Sequence, residues 1–134
     1  MNYTQKALEL YSQGYNCAQA VACAFSDKLD IDCETLFKIS EGFGAGMGGR
    51  NNACGALSGA VMVAGMLNSS GDVNQPTKSK TYKKAAQIEE TFREKCKATA
   101  CCDIKGLKDG NPTVSCDECI RVAVMAVESI LLGE

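Results

Sequence analysis

Between Glu41 and Met66 the chain reads EGFGAGMGGRNNACGALSGAVMVAGM. A glycine-rich run (Gly42, Gly44, Gly46, Gly48, Gly49) delivers the backbone to Arg50, two asparagines and Cys54, and a long stretch of small and apolar residues follows. Side chains as small as those at 55, 56, 59, 60 and 64 leave a helix surface nearly bare, so other helices can approach it closely. The stretch therefore predicts a buried hub helix that the remaining elements pack around. Asn51 or Asn52 suits its N-cap, because a short side-chain amide accepts from the free N–H groups of a first turn. That choice puts Cys54 in the first turn, where the positive end of the helix dipole favours a thiolate.

The rest of the chain is equally helical in pattern. β-branched alternation is missing, and only Pro76 and Pro112 interrupt. Tyr3, Ala7, Leu8 and Tyr11 form one face of a first helix that Gly14 ends. Asn16 with Gln19 reads as a capping box opening a second helix, with Cys17, Ala20, Val21, Ala24 and Phe25 as its inner stripe. Asp30 or Asp32 begins a third helix through Leu36, Phe37 and Ile39. After the hub, Asn68–Pro76 is a loop by its turn chemistry. A longer helix then runs to about Cys96, with Tyr82, Ala85, Ile88, Phe92 and Cys96 inward and Lys83, Lys84, Glu90, Arg93 and Glu94 facing water. Thr99–Gly106 predicts one irregular or short helical turn, and DGNP at 109–112 a tight turn. Ser115 with Glu118 opens a last helix, with Ile120, Ala123, Val124, Val127, Ile130 and Leu131 as its stripe. The expected fold is all-α: one domain, 1–134, as a compact bundle of about five to six helices around a small-residue hub helix.

Composition narrows the function. At 134 residues and 14.2 kDa the chain can bury a modest core. Its net charge of −2 with interleaved signs gives no reason to expect nucleic acid or an anionic membrane as a partner. No apolar run follows a basic N-terminal region, and the apolar block Ala53–Leu67 is shorter than the ~20 residues a span requires. A cytoplasmic location is the expectation. Nine cysteines are the anomaly. Without a secretion signal they point to metal binding or redox work rather than to a disulfide framework. Histidine is absent, which removes the commonest general base and the commonest soft-metal ligand besides sulfur.

Position singles out some of these cysteines. Cys17 follows Asn16, Cys54 follows Asn51-Asn52, and Cys116 follows Ser115, so three helices are expected to begin with a cap residue and then a thiol. Together with Cys101 and Cys102, they suggest helix mouths converging on one sulfur-rich pocket. The competing interpretation is that a free cysteine often serves as a small buried hydrophobe; it suits Cys23 and Cys96. Cys33 lies between Asp32 and Glu34, whose charges disfavour a thiolate. Cys116-x-x-Cys119 stands at a helix start, but no βαβ pattern surrounds it, so a thioredoxin fold is not indicated. Gly44-x-Gly46-x-x-Gly49 follows a helix rather than a strand and has no suitably placed acidic ribose partner, against a dinucleotide site. Tight backbone approach, or an anion-binding nest, accounts for those glycines better. Arg50 is the cation nearest Cys54 in sequence.

Asn16-Cys17-Ala18-Gln19-Ala20, Gly42-Phe43-Gly44-Ala45-Gly46-Met47-Gly48 and Cys54-Gly55-Ala56-Leu57-Ser58-Gly59-Ala60, with Cys101-x-x-Ile104-x-Gly106 and Cys116, resemble the C_GCAxxG_C_C family. The resemblance covers essentially the whole chain. It implies a small α-helical protein with suspected redox activity, no firmly assigned reaction, and Cys17, Cys54, Cys101 and Cys116 at the four characteristic cysteine positions. Cys102 and Cys119 stand beside two of these, leaving open which member of each pair acts.

Two functions are expected. The first is a thiol–disulfide redox protein, with thiol–disulfide oxidoreductase as the enzyme class it would fall in: Cys54 or Cys17 attacks a disulfide, peroxide or other soft electrophile, and Cys101 or Cys116 resolves the intermediate. Its partner would be a redox protein or a small soft electrophile. The alternative is a metal module in which Cys17, Cys54, Cys101 or Cys102, and Cys116 hold zinc or an iron–sulfur cluster. A sensor or scaffold whose partner supplies the chemistry is a third option. Substrate, electron donor and oligomeric state are left open by the sequence.

Overall fold

A computed structural model describes residues 1–133; Glu134, the last residue of the expected 1–134 unit, lies outside them. Among the described residues the structure is all-α, with helices α1 (Tyr3–Ser12), α2 (Cys17–Ala24), α3 (Cys33–Glu41), α4 (Gly55–Asn68), α5 (Lys78–Cys96), α6 (Cys101–Ile104) and α7 (Cys116–Ile130). The count exceeds five to six because Cys101–Ile104 closes a full turn and becomes α6. A 3₁₀ turn at Ser26–Lys28 links α2 to α3. No helix is long and apolar enough to cross a membrane among the described residues.

Local chemistry sets the helix starts. The Asn2 side chain accepts from the Gln5 N–H while Gln5 returns the bond, and Asn16 with Gln19 does the same for α2. Ser115 accepts from the Glu118 N–H at 3.1 Å, one half of the expected box. Asp32 rather than Asp30 caps α3. One start differs from expectation. Neither Asn51 nor Asn52 caps the hub helix; Cys54 itself is the N-cap, and α4 begins at Gly55. The asparagines are spent on the loop, where the Asn52 carbonyl accepts from the Cys101 N–H.

The hub is a pair of helices rather than one. Every residue of α2 from Ala18 to Ala24 is buried, and α4 lies directly on it. A Cβ added at Gly59 would come 2.7 Å from the Ala18 carbonyl oxygen, and one at Gly55 would come 3.1 Å from the Ala18 nitrogen. The small residues thus permit backbone-to-backbone contact. Buried side chains form one contiguous core that takes Phe25 from the end of α2, Ile88 and Phe92 from α5, and Ile120, Val124 and Val127 from α7. Fully burying each of these large side chains is worth roughly 1.5–3 kcal/mol. Tyr3 stacks on Phe25 with ring centroids 4.5 Å apart. On α5 the inward stripe begins later than expected. Tyr82 is 66% exposed, whereas Lys84 lies along the protein and its ammonium donates to the Ile130 carbonyl at 3.3 Å.

Candidate functional site

The N-terminal ends of α2, α4, α6 and α7 meet around a cavity of about 160 Å³. Cys17, Cys54, Cys101, Cys116 and Cys119 line it, together with Tyr11, Asn16, Arg50 and Lys105. Each of the first four sits where a helix starts. Cys17 is the first residue of α2 behind its cap Asn16, Cys116 is the first of α7 behind Ser115, Cys101 is the first of α6, and Cys54 is the cap of α4. Cys17 and Cys116 are half-buried, and Cys54, Cys101 and Cys119 are buried. All nine cysteines carry free thiols.

Backbone contacts fix this arrangement. Ala53 and Ala100 form an isolated antiparallel bridge. Beside it the Cys54 N–H donates to the Thr99 carbonyl at 2.7 Å, and the Cys101 N–H donates to the Asn52 carbonyl at 2.8 Å. Two cysteines far apart in sequence are thereby locked side by side. The glycine-rich segment closes over them. A Cβ at Gly46 would stand 2.6 Å from the Cys101 Cβ, and one at Gly44 would stand 2.4 Å from the Asn16 amide nitrogen. Asn16 in turn donates to the Glu41 carbonyl at 2.9 Å. The path is strained: Ala45 (φ 53), Met47 (φ 65) and Arg50 (φ 67) all adopt left-handed backbone conformations, at a cost of order 1–3 kcal/mol each. Ala45 and Arg50 both border the cavity.

Two sets of thiols are in direct contact. At the cavity mouth the Cys17 thiol and the Tyr11 hydroxyl both meet the Cys116 sulfur. Deeper in, the Cys119 thiol lies between those of Cys54 and Cys96 and bonds to both. Cys96, expected to be purely structural, is fully buried at the end of α5 and belongs to this second set.

Electrostatics reverse the expected thiolate. Burial, reinforced by the neighbouring thiols of Cys54 and Cys116, pushes Cys17 up to about 12, against a smaller downward pull from Lys105. Cys54 is raised further by its bond with Cys119 and then by burial, although the amides of Ala56 and Leu57, short of capping geometry, pull it the other way. Burial also raises Cys101 despite Lys105 and Arg50. Desolvation and crowding of like groups therefore outweigh the helix-start position. Of the inner set, Cys96 is the one held down, because the Cys119 thiol donates to it, while Cys119 itself is pushed up to about 12. Tyr11 is raised by burial and by its bond to Cys116, so its phenol stays protonated.

Of the alternative ligand set, Cys17, Cys54, Cys101 and Cys116 line the cavity and Cys102 does not. Among the described residues no three Cys, Asp or Glu side chains are placed to hold a metal ion. Cys102 faces away from the cavity, beside Lys97, Asp103 and Lys108, with its sulfur 3.9 Å from an Asp103 carboxylate oxygen. Cys102 therefore drops out of the five expected donors, Cys17, Cys54, Cys101, Cys102 and Cys116. Two cavity residues have no role assigned from sequence: Tyr11 reads only as part of the α1 core face, and Lys105 falls in an irregular turn. Cys119 stands in the sequence as the alternative to Cys116, and both line the cavity. The i, i+3 spacing of Cys116 and Cys119 is the signal for Cys119.

The family described as "Putative redox-active protein (C_GCAxxG_C_C)" matches residues 15–130. A relative from Archaeoglobus fulgidus, described only as an uncharacterized protein, is 27% identical over 135 aligned positions that cover 95% of this chain and 89% of that one. No solved structure is a significant match.

Proposed function

The chain belongs to the C_GCAxxG_C_C family, and from that premise we propose that it is a thiol–disulfide exchange protein whose working pair is Cys116 and Cys17. The observation that carries this is the contact between those two half-buried thiols at the mouth of a cavity that Cys54 and Cys101 also line. Residues 1–134 act as one redox unit in this reading.

The roles follow from access and charge. Cys17 keeps its proton at neutral pH, so the attack is assigned to Cys116, which the solvent reaches and which Tyr11 and Cys17 both face. The Cys116 thiolate attacks one sulfur of a substrate disulfide R–S–S–R′ and expels R′S⁻, leaving Cys116–S–S–R. Cys17 then loses its proton, attacks the Cys116 sulfur and expels RS⁻. Two electrons pass from the cysteine pair to the substrate, two thiol protons are released, and a Cys17–Cys116 disulfide remains. Arg50 and Lys105 are the cations beside the cavity, and they favour a substrate or leaving group that carries negative charge.

Mass mapping of the native protein after exposure to oxidised glutathione tests this. A reversible Cys17–Cys116 disulfide is the expected product. Both thiols remaining alkylatable after prolonged exposure would overturn the proposal. Elemental analysis of anaerobically purified protein checks the metal alternative separately.

A further inference from the structure

Cys96 and Cys119 have no part in the exchange just described, yet with Cys54 they form a continuous file of sulfur running from the cavity wall into the core. Cys54 and Cys119 border the cavity. Cys119 touches both Cys54 and Cys96, and Cys96 is 0% exposed. The three come from different elements, since Cys54 caps α4, Cys96 ends α5 and Cys119 lies in the first turn of α7. Helix packing therefore brings them together, not a local sequence motif.

We propose that Cys54, Cys119 and Cys96 form an internal relay that moves a disulfide from the cavity to a buried Cys96–Cys119 pair, which stores a second pair of oxidising equivalents. The proposal rests on the exchange assigned to Cys116 and Cys17. Starting from the Cys17–Cys116 disulfide, Cys54 attacks the Cys17 sulfur and gives up its proton to Cys116 as that sulfur is expelled. Cys119 next attacks the Cys54 sulfur and releases Cys17. Cys96 finally attacks the Cys119 sulfur and releases Cys54. At every step one S–S bond forms and one breaks, and the proton lost by the attacking thiol is taken up by the thiolate expelled. The only oxidant consumed is the original substrate disulfide. At the end Cys17 and Cys116 are dithiols again and can take a second equivalent, while the first is kept at the inner end of the file, with its Cys96 sulfur fully buried.

Two observations favour the inward direction. Cys96 is the thiol that Cys119 already faces in the reduced protein, which places it beside the Cys119 sulfur for the last step. Its full burial also shields the Cys96 sulfur of the final disulfide from attack by external thiolates, since exchange depends on access.

The test titrates the reduced, full-length protein with 4,4′-dithiodipyridine under anaerobic conditions. Acid quenching, alkylation in denaturant and peptide mapping follow. The wild-type protein is expected to show the Cys17–Cys116 disulfide first and the Cys96–Cys119 disulfide later. The Cys54→Ser variant is expected to form the first and lose the second. If Cys96 stays a free thiol in wild-type protein while Cys17–Cys116 is oxidised, the relay is wrong and the exchange stands. If neither disulfide forms, both are wrong. If Cys54→Ser oxidises Cys96 as fast as wild type, Cys54 is not on the path and the relay is overturned. Should Cys54→Ser not fold, Cys119→Ala serves in its place. A Cys96 thiol that persists there supports the relay, and a Cys96 disulfide to any other cavity cysteine overturns it.

Discussion

Gly46 lies so close to Cys101 that a Cβ on the glycine would stand 2.6 Å from the Cβ of the cysteine. That contact ties the strained loop before α4 to the first residue of α6, and with it the cavity wall to the loop's shape. Gly46 also has φ +58, a conformation that costs an L-residue roughly 1–2 kcal/mol. Gly46→Ala is therefore expected to lower stability by more than that amount and to raise the alkylation rate of Cys101. Gly48→Ala separates the two effects. Gly48 has φ +81 but nothing within 4 Å, so it should show the backbone cost and leave Cys101 protected. Denaturant unfolding with thiol labelling of both variants checks this.

The paired hub makes a second contrast. A Cβ at Gly59 would meet the Ala18 carbonyl at 2.7 Å, whereas one at Gly65 meets nothing within 4 Å. Alanine gains helix propensity over glycine at either site, about 1 kcal/mol. At Gly59 the clash wins, because two backbones must separate, and overpacking costs typically about 1–3 kcal/mol. Gly59→Ala is expected to destabilise the protein and Gly65→Ala to stabilise it by roughly 0.5–1 kcal/mol. Opposite shifts in urea midpoint are the readout.

Much of this was legible in the sequence because it is local chemistry. Asn16 and Gln19 announced α2, Ser115 announced α7, and the run of small residues announced a helix that others could approach closely. The placement of Cys17 and Cys116 as first helical residues followed directly. What stayed hidden is long-range. Nothing between Asn51 and Cys54 says that Thr99 and Cys101 will bridge to them, so the expected cap of α4 falls two or three residues too early. Cys96 read as a core residue on α5 because only tertiary packing brings Cys119 beside it. The thiolate preference also turned on a balance that sequence cannot weigh. The helix start was visible, but the burial and the neighbouring thiols that override it were not.

That override makes a pH prediction. The folded value of Cys17 is about 12, against an ordinary value of 9.0, and burial likewise raises Cys101. A group raised on folding binds its proton more tightly in the native state, so its contribution to stability is fully present below the unfolded value. It is lost as pH climbs from there through the folded value. Stability should accordingly hold near neutrality and fall from about pH 9 upward, more steeply in wild type than in Cys17→Ala. Urea midpoints for the two proteins between pH 7 and 11 measure the difference. A parallel decline would assign the alkaline loss to other groups.

The cavity cations offer a finer test. Lys105 pulls down both Cys17 and Cys101, while Arg50 pulls on Cys101. Lys105→Met should slow iodoacetamide labelling at both cysteines, by roughly two- to fivefold at fixed pH for a partly screened charge. Arg50→Gln should slow Cys101 and spare Cys17. Equal slowing of both thiols by Arg50→Gln would mean that the loop had moved rather than that a charge had been lost.

Adjacent cysteines give the last prediction. Cys101 and Cys102 are both 4% exposed, and both sit in the single turn α6, so burial alone does not separate them. Direction does. Cys101 borders the cavity, its N–H is held by Asn52, and Gly46 presses on its Cβ. Cys102 points to the opposite side, toward Asp103 and Lys108. A serine at 101 puts a better-hydrated hydroxyl beside Cys54 and Cys17 and removes one of the thiols that can trap a cavity disulfide. A serine at 102 changes neither. Cys101→Ser should thus change the rate at which the Cys17–Cys116 disulfide forms, and Cys102→Ser should leave that rate as in wild type with the total free-thiol count lower by that residue alone. Thiol titration and peptide mapping of the two variants, run side by side, decide it. A changed rate in Cys102→Ser would show that α6 turns over during oxidation and presents either sulfur to the cavity.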